Sequence, residues 1–180
     1  RVSTFLLLAL SGLSWAVPPP RPQEMGLPFL RNFSPKEYGA GPANMAIVQD
    51  RRGLLYVANR EGVLEYDGVS WRLIPTANRT GVYSLAVDAS GRVFVGAQGE
   101  LGYLAPDASG RLGFVSLKDR LEPSRRNFSE VLGTCATSQG VFFYTRNFLF
   151  RFANDGFTSW QAATAFHRSF AVGARFFIRQ

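Results

Sequence analysis

Apolar residues in this chain fall in short runs, and turn-forming residues separate the runs. Ile47-Val48-Gln49 precedes Asp50-Arg51-Arg52-Gly53, and Leu54-Leu55-Tyr56-Val57 follows. The order returns as Leu85-Ala86-Val87, Asp88-Ala89-Ser90-Gly91 and Arg92-Val93-Phe94-Val95. It returns degraded from Val131 to Tyr144, with Ser138-Gln139-Gly140 as the turn, and starts again at Ser169-Phe170-Ala171-Val172 before Arg175-Phe176-Phe177-Ile178. Apolar runs of this length, bounded by Gly, Asp and Pro, predict strands. The Asp accepts from the amides of its own turn and the Gly supplies a positive φ. The glycines at 53, 91 and 140 recur at intervals of roughly 40 to 50 residues, the spacing of a repeat architecture.

Each full unit holds four candidate strands, which predicts an all-β chain built as a β-propeller. Three four-stranded antiparallel blades and the start of a fourth are expected, over residues 45–80, 81–127, 128–164 and 165–180, with the ring incomplete in this chain. Tyr56, Phe94 and Phe143 are expected at equivalent second-strand places, and Trp71 and Trp160 on outer strands. Phe29 to Asn44 reads as an irregular lead-in, and residues 17–28 as a Pro-rich leader.

Composition agrees with this picture. The 180 residues include 18 Gly, 10 Pro, 16 Phe, 6 Tyr and 3 Trp, and large rings suit a half-buried pleated surface. The net charge of +7 raises a nucleic-acid reading, but Arg is scattered and Lys stands only at Lys36 and Lys118. Nucleic-acid binders gather such charge on one face or in one run, so no nucleic-acid partner is expected for this segment. Cys135 lies in an apolar strand candidate and reads as a structural thiol, and His167 is remote from it in sequence. No His/Cys spacing suits a metal, and neither a metal nor a cofactor is expected.

Residues 1–16 carry the pattern of a secretory signal peptide: Arg1, the apolar Phe5-Leu6-Leu7-Leu8-Ala9-Leu10, then Ser14 and Ala16 two apart. Export is the expectation. It brings three sequons into view, Asn32-Phe33-Ser34, Asn78-Arg79-Thr80 and Asn127-Phe128-Ser129. The strand pattern is cut at Gln180, so the chain reads as the front of a longer protein.

Several motifs invite chemistry and read better as structure. Gly96-Ala97-Gln98-Gly99-Glu100-Leu101-Gly102 resembles a phosphate loop, but a strand pattern follows where a helix would be needed. The Asp-x-x-Gly turns are too short to be calcium loops. Glu61, Glu65 and Asp67 suggest a carboxylate pair, yet no pair can be placed at a defined separation, and no catalytic residue is assigned.

The succession of Asp50–Gly53, Leu54–Val57, Gly62-Val63-Leu64-Glu65-Tyr66-Asp67-Gly68 and Trp71 resembles the two-component-regulator propeller repeat. Asp88–Gly96 and Glu100–Tyr103 continue the likeness, and Phe29–Phe33 through Gly41-Pro42 looks like the lead-in to such propellers. The third unit departs from it by losing the turn Asp. The resemblance implies the exported, periplasmic sensor part of a membrane-tethered signalling protein, non-catalytic in these residues. A kinase, regulator or cyclase output would lie downstream in the same chain, and a homodimer of the full-length protein stays open. An exported propeller lyase or hydrolase acting on polysaccharide, and a protein-interaction scaffold, are the alternatives.

Loops joining second to third strands emerge on one face of every blade, and loops hold recognition groups. Asn59, Arg60, Gln98, Glu100, Arg146 and Asn147 occupy those loops. They are the candidate ligand-binding residues, for a polar small molecule or a glycan.

Overall fold

A computed structural model describes residues 30–180. The expected signal peptide and residues 17–29 of the leader lie outside the described residues. Contacts divide the chain into two units, Arg1–Asn32 and Phe33–Gln180, and the regular elements among the described residues all lie in the second.

Fourteen strands build that unit, all in antiparallel sheets. Sheet one is β1 (Asn44–Gln49), β2 (Leu55–Asn59), β3 (Gly62–Tyr66) and β4 (Trp71–Ile74). Sheet two is β5 (Val82–Val87), β6 (Val93–Ala97), β7 (Glu100–Pro106) and β8 (Leu112–Ser116). Sheet three is β9 (Gly133–Thr137), β10 (Gly140–Tyr144), β11 (Phe148–Ala153) and β12 (Gly156–Gln161). The hairpin of β13 (Arg168–Val172) and β14 (Arg175–Arg179) forms a sheet of two. Each sheet is a meander in sequence order, and the first strands of neighbouring sheets touch in succession. The chain is therefore all-β with a propeller-like run of blades. Among the described residues no helix is long and apolar enough to cross a membrane.

Strand alternation decides how the sheets stack. Tyr56 and Ala58 face one way from β2 and meet Leu85, Val93 and Val95 of sheet two. Phe94 and Leu101 leave the other face of sheet two and meet Val141, Phe143 and Phe150 of sheet three. Phe142, Tyr144 and Leu149 then meet Phe176 and Ile178 of the last hairpin, with Phe142 and Phe176 stacked at 4.4 Å. The same register is used at each joint, so each fully buried ring removes about 1.5–3 kcal/mol of exposed apolar surface at an equivalent place. On the last hairpin the following face is uncovered: Phe170 is 58% exposed and Phe177 41%.

Register corrects two equivalences expected from sequence. Counting from the turn glycine aligns Phe143 with Tyr56 and Phe94. In sheet three, however, Gly140 is itself paired, with Thr137, because the turn that lost its Asp is shorter. Phe142 is thus the residue equivalent to Tyr56 and Phe94. Trp160 pairs with Leu149, whereas Trp71 pairs with Tyr66. The place of Trp71 is taken by Phe114 and Phe157.

The lead-in is more ordered than expected. Pro35–Tyr38 form a one-turn helix, α1, whose Glu37 carboxylate accepts from the Ser34 amide and hydroxyl. Tyr38 is buried against Val57 and Leu64, and Phe33 meets Tyr66 and Trp71 edge-on. This segment covers the face of sheet one that no described blade covers.

The Asp-x-x-Gly turns behave as expected. Asp50, Asp88 and Asp107 each accept from two amides of their own turn through Oδ1. Gly53, Gly91 and Gly110 have φ of 89°, 88° and 81°. Gly53→Val is expected to lose about 1–3 kcal/mol, because a β-branched residue is strained there. An unchanged urea midpoint would refute the turn assignment.

Candidate functional site

The three loops singled out from sequence all join a second to a third strand, and they lie on the face where the connections between sheets run. The Arg60 amide donates to Ala43, the Gln98 amide to Gly81, and the Arg146 carbonyl accepts from Phe166. Their side chains divide into two kinds. Asn59 is fully buried, its Nδ2 donating to the Gly41 carbonyl and to Asn44 Oδ1 at 2.7 Å each, so it ties the lead-in to sheet one. Glu100 is 5% exposed, and its Oε1 accepts from Ser116 Oγ at 2.7 Å. Arg60, Gln98, Arg146 and Asn147 have exposed side chains. The Gln98 carbonyl accepts from Asn78 Nδ2 and Thr80 Oγ1, so the Asn78 sequon amide is engaged in the fold. The segment Gly96 to Gly102 is a hairpin loop between strands, with Ala97 paired to Glu100.

The larger clefts open on the opposite face, where the Asp-x-x-Gly turns lie. One of about 500 Å³ sits at the joint of sheets one and two, lined by Arg51, Arg52, Arg92, Tyr103 and Leu112 among others. A smaller one of about 230 Å³ adjoins it, sharing Arg52 and Leu112 and adding Glu65, Arg72 and Arg111. A third, of about 590 Å³, lies at the next joint and is lined by Asp88, Arg92, Gln139, Asn154 and Asp155 among others.

At the first joint Asp50 is the anchor. Its side chain is 2% exposed, and Oδ2 accepts from Arg52 Nε at 2.9 Å and Nη2 at 2.7 Å. Burial pushes the Asp50 carboxyl up, but the Arg52 hydrogen bond, the Arg52 and Leu54 amides and the Arg52 charge together hold it below its ordinary value. Arg52 Nη2 also donates to the Tyr56 hydroxyl at 3.1 Å. Burial, then the charges of Glu65 and Asp50, push that hydroxyl up to about 12. Arg72 grips Glu65 Oε1 with Nε and Nη2 and donates Nη1 to the Leu112 carbonyl across the joint. Glu65 Oε2 is buried with no hydrogen-bond partner. Asp67, by contrast, is exposed and spent on its own hairpin turn.

Sequence reasoning passed over the arginines of this joint, although a signal was present. Asp-Ala-Ser-Gly-Arg occurs twice, at Asp88–Arg92 and at Asp107–Arg111. Both copies are turns at the same edge of sheet two, and both deliver an Arg immediately after the turn glycine. Cys135 is half-buried on β9, and burial raises its thiol above the ordinary value. Among the described residues, no group of three or more His, Cys, Asp or Glu side chains is placed to hold a metal. No family model matches the chain, and no curated protein matches it.

Proposed function

We propose that the chain is a non-catalytic, exported ligand-sensing propeller module of a membrane-bound signal-transduction protein, of the two-component-regulator propeller kind. The observation that carries this reading is the blade itself. Every joint between sheets repeats one register, and sheets one and two carry the Asp-capped turn together with the residues of the resemblance, Gly62–Gly68 and Trp71. The carboxylates that suggest catalysis support it too. Glu65 is held by Arg72, and Asp67 caps a turn. Further blades of the same protein would cover Phe170 and Phe177, as the last hairpin covers Phe142. Downstream domains of the same chain would then carry the signal inward from the periplasm.

The test is the reading frame downstream of Gln180, together with fractionation of cells producing the whole protein. A membrane helix followed by a kinase or regulator, and a propeller recovered outside the inner membrane, are the expected results. A stop codon soon after ring closure would overturn the sensor reading in favour of an exported enzyme or scaffold.

A further inference from the structure

We infer that the cleft between sheets one and two is a binding site for a small polyanion, a ligand bearing two or more carboxylate, sulfate or phosphate groups. This rests on the reading of the chain as a ligand-binding module. It places the site on the face opposite the loops of Arg60 and Arg146.

The argument begins with charge. The two adjoining clefts at this joint are lined by Arg51, Arg52, Arg72, Arg92 and Arg111 against only Asp50 and Glu65. Both carboxylates are already matched, Asp50 by Arg52 and Glu65 by Arg72. The surplus is therefore Arg51, Arg92 and Arg111, whose guanidiniums make no hydrogen bond or ion pair within 4 Å among the described residues. Asp107 lies near enough to Arg111 for that charge to help lower its carboxyl. The larger causes are the Ser109 hydroxyl and the Arg111 and Ser109 amides, so Asp107 is chiefly a turn cap.

Positioning is the second part. Arg92 and Arg111 leave identical turns, each amide held at 2.9–3.0 Å by the Asp that opens the turn. The Arg92 guanidinium lies 4.7 Å over the Tyr103 ring. Stacking fixes the plane of a guanidinium while leaving its edge donors available, the arrangement that suits forked recognition of an oxyanion. The floor is rigid, since Arg72 bridges Glu65 and the Leu112 carbonyl across the joint. A volume of about 500 Å³ admits a ligand of disaccharide size.

The experiment is calorimetric titration of the full chain at low salt with three probes: tripolyphosphate, citrate and a disulfated disaccharide. At least one is expected to bind, with affinity falling as salt rises. The triple variant R51Q/R92Q/R111Q is expected to weaken that binding at least tenfold while keeping the wild-type melting profile, because none of the three guanidiniums holds the fold. The double variant R60Q/R146Q on the opposite face is expected to change it less than about twofold, because it lies outside the cleft. No binding of any probe overturns the inference, and so does an equal loss in the double variant. Rank order among the probes separates phosphate, carboxylate and sulfated-sugar ligands. Probe binding without any signalling output in the whole protein would sink the sensor reading and leave this site standing. A ligand response unchanged by the triple variant would sink the site alone.

Discussion

Phe143→Ala is expected to cost about 3–5 kcal/mol of unfolding free energy, the range for deleting a fully buried aromatic ring. Phe143 has no exposed surface and sits between sheets two and three with Phe94, Val141 and Phe150. The hole would open in a joint rather than within one sheet, so neither sheet can close it without losing its register against the other. A domain of this size holds about 5–15 kcal/mol in all, so the variant should melt much earlier or fail to accumulate. Phe177→Ala is the comparison. That ring is 41% exposed, and the face carrying it is uncovered. Its loss is expected to stay under about 1 kcal/mol in this chain. Urea melts of the two variants, side by side, read the difference. Equal losses would mean that the sheets do not stack as described.

Much of the fold was legible because turn chemistry and strand alternation are local. Asp50–Gly53 and Asp88–Gly91 announce themselves by residue type alone, and the turns formed where they were expected. Register was less legible. Once the Asp is lost, as at Ser138-Gln139-Gly140, the turn shortens, and a count from the glycine slips by one residue. A slip of one reverses the face of every side chain, which is why Phe143 was assigned the place that belongs to Phe142. The helix at Pro35–Tyr38 had a readable sign in Ser34-Pro35-Lys36-Glu37, a capping-box sequence, but its docking on Trp71 is long-range and left no local trace.

The candidate site was less legible for a similar reason. Loop position says which residues share a face, but not which side chains turn inward. Asn59 and Glu100 look like loop tips in sequence, and the fold uses both as internal hydrogen-bonding groups. The arginines of the opposite face come from two sheets, and sequence cannot show that Arg52 and Arg111 line one cleft until the sheets are stacked.

Asp50→Ala is expected to destabilise the chain by about 2–3 kcal/mol, more than the same change at Asp88, because the group removed is buried and makes several bonds. The carboxylate accepts from the Arg52 and Leu54 amides at 2.8 and 3.1 Å and from the Arg52 guanidinium, and the Tyr56 hydroxyl lies 3.4 Å away. Asp50→Asn keeps an acceptor for the two amides and loses the charge, so about half of that loss is expected. The two effects separate by pH. The folded carboxyl sits below its ordinary 3.8, so the unfolded chain binds the proton more readily than the folded one. The contribution of the charge is therefore full above about pH 4 and disappears as pH falls through the lower, folded value. Asp67 and Asp107 are lowered too, by the hydrogen bonds of their turns, so wild type and variant will both weaken in acid. The gap between wild type and Asp50→Asn isolates Asp50: it should be constant from pH 5 to 7 and shrink steadily between about pH 4 and 2. Urea melts across that range measure it, and a gap that stays constant down to pH 2 would show that the Asp50–Arg52 pair does not carry the stability assigned to it.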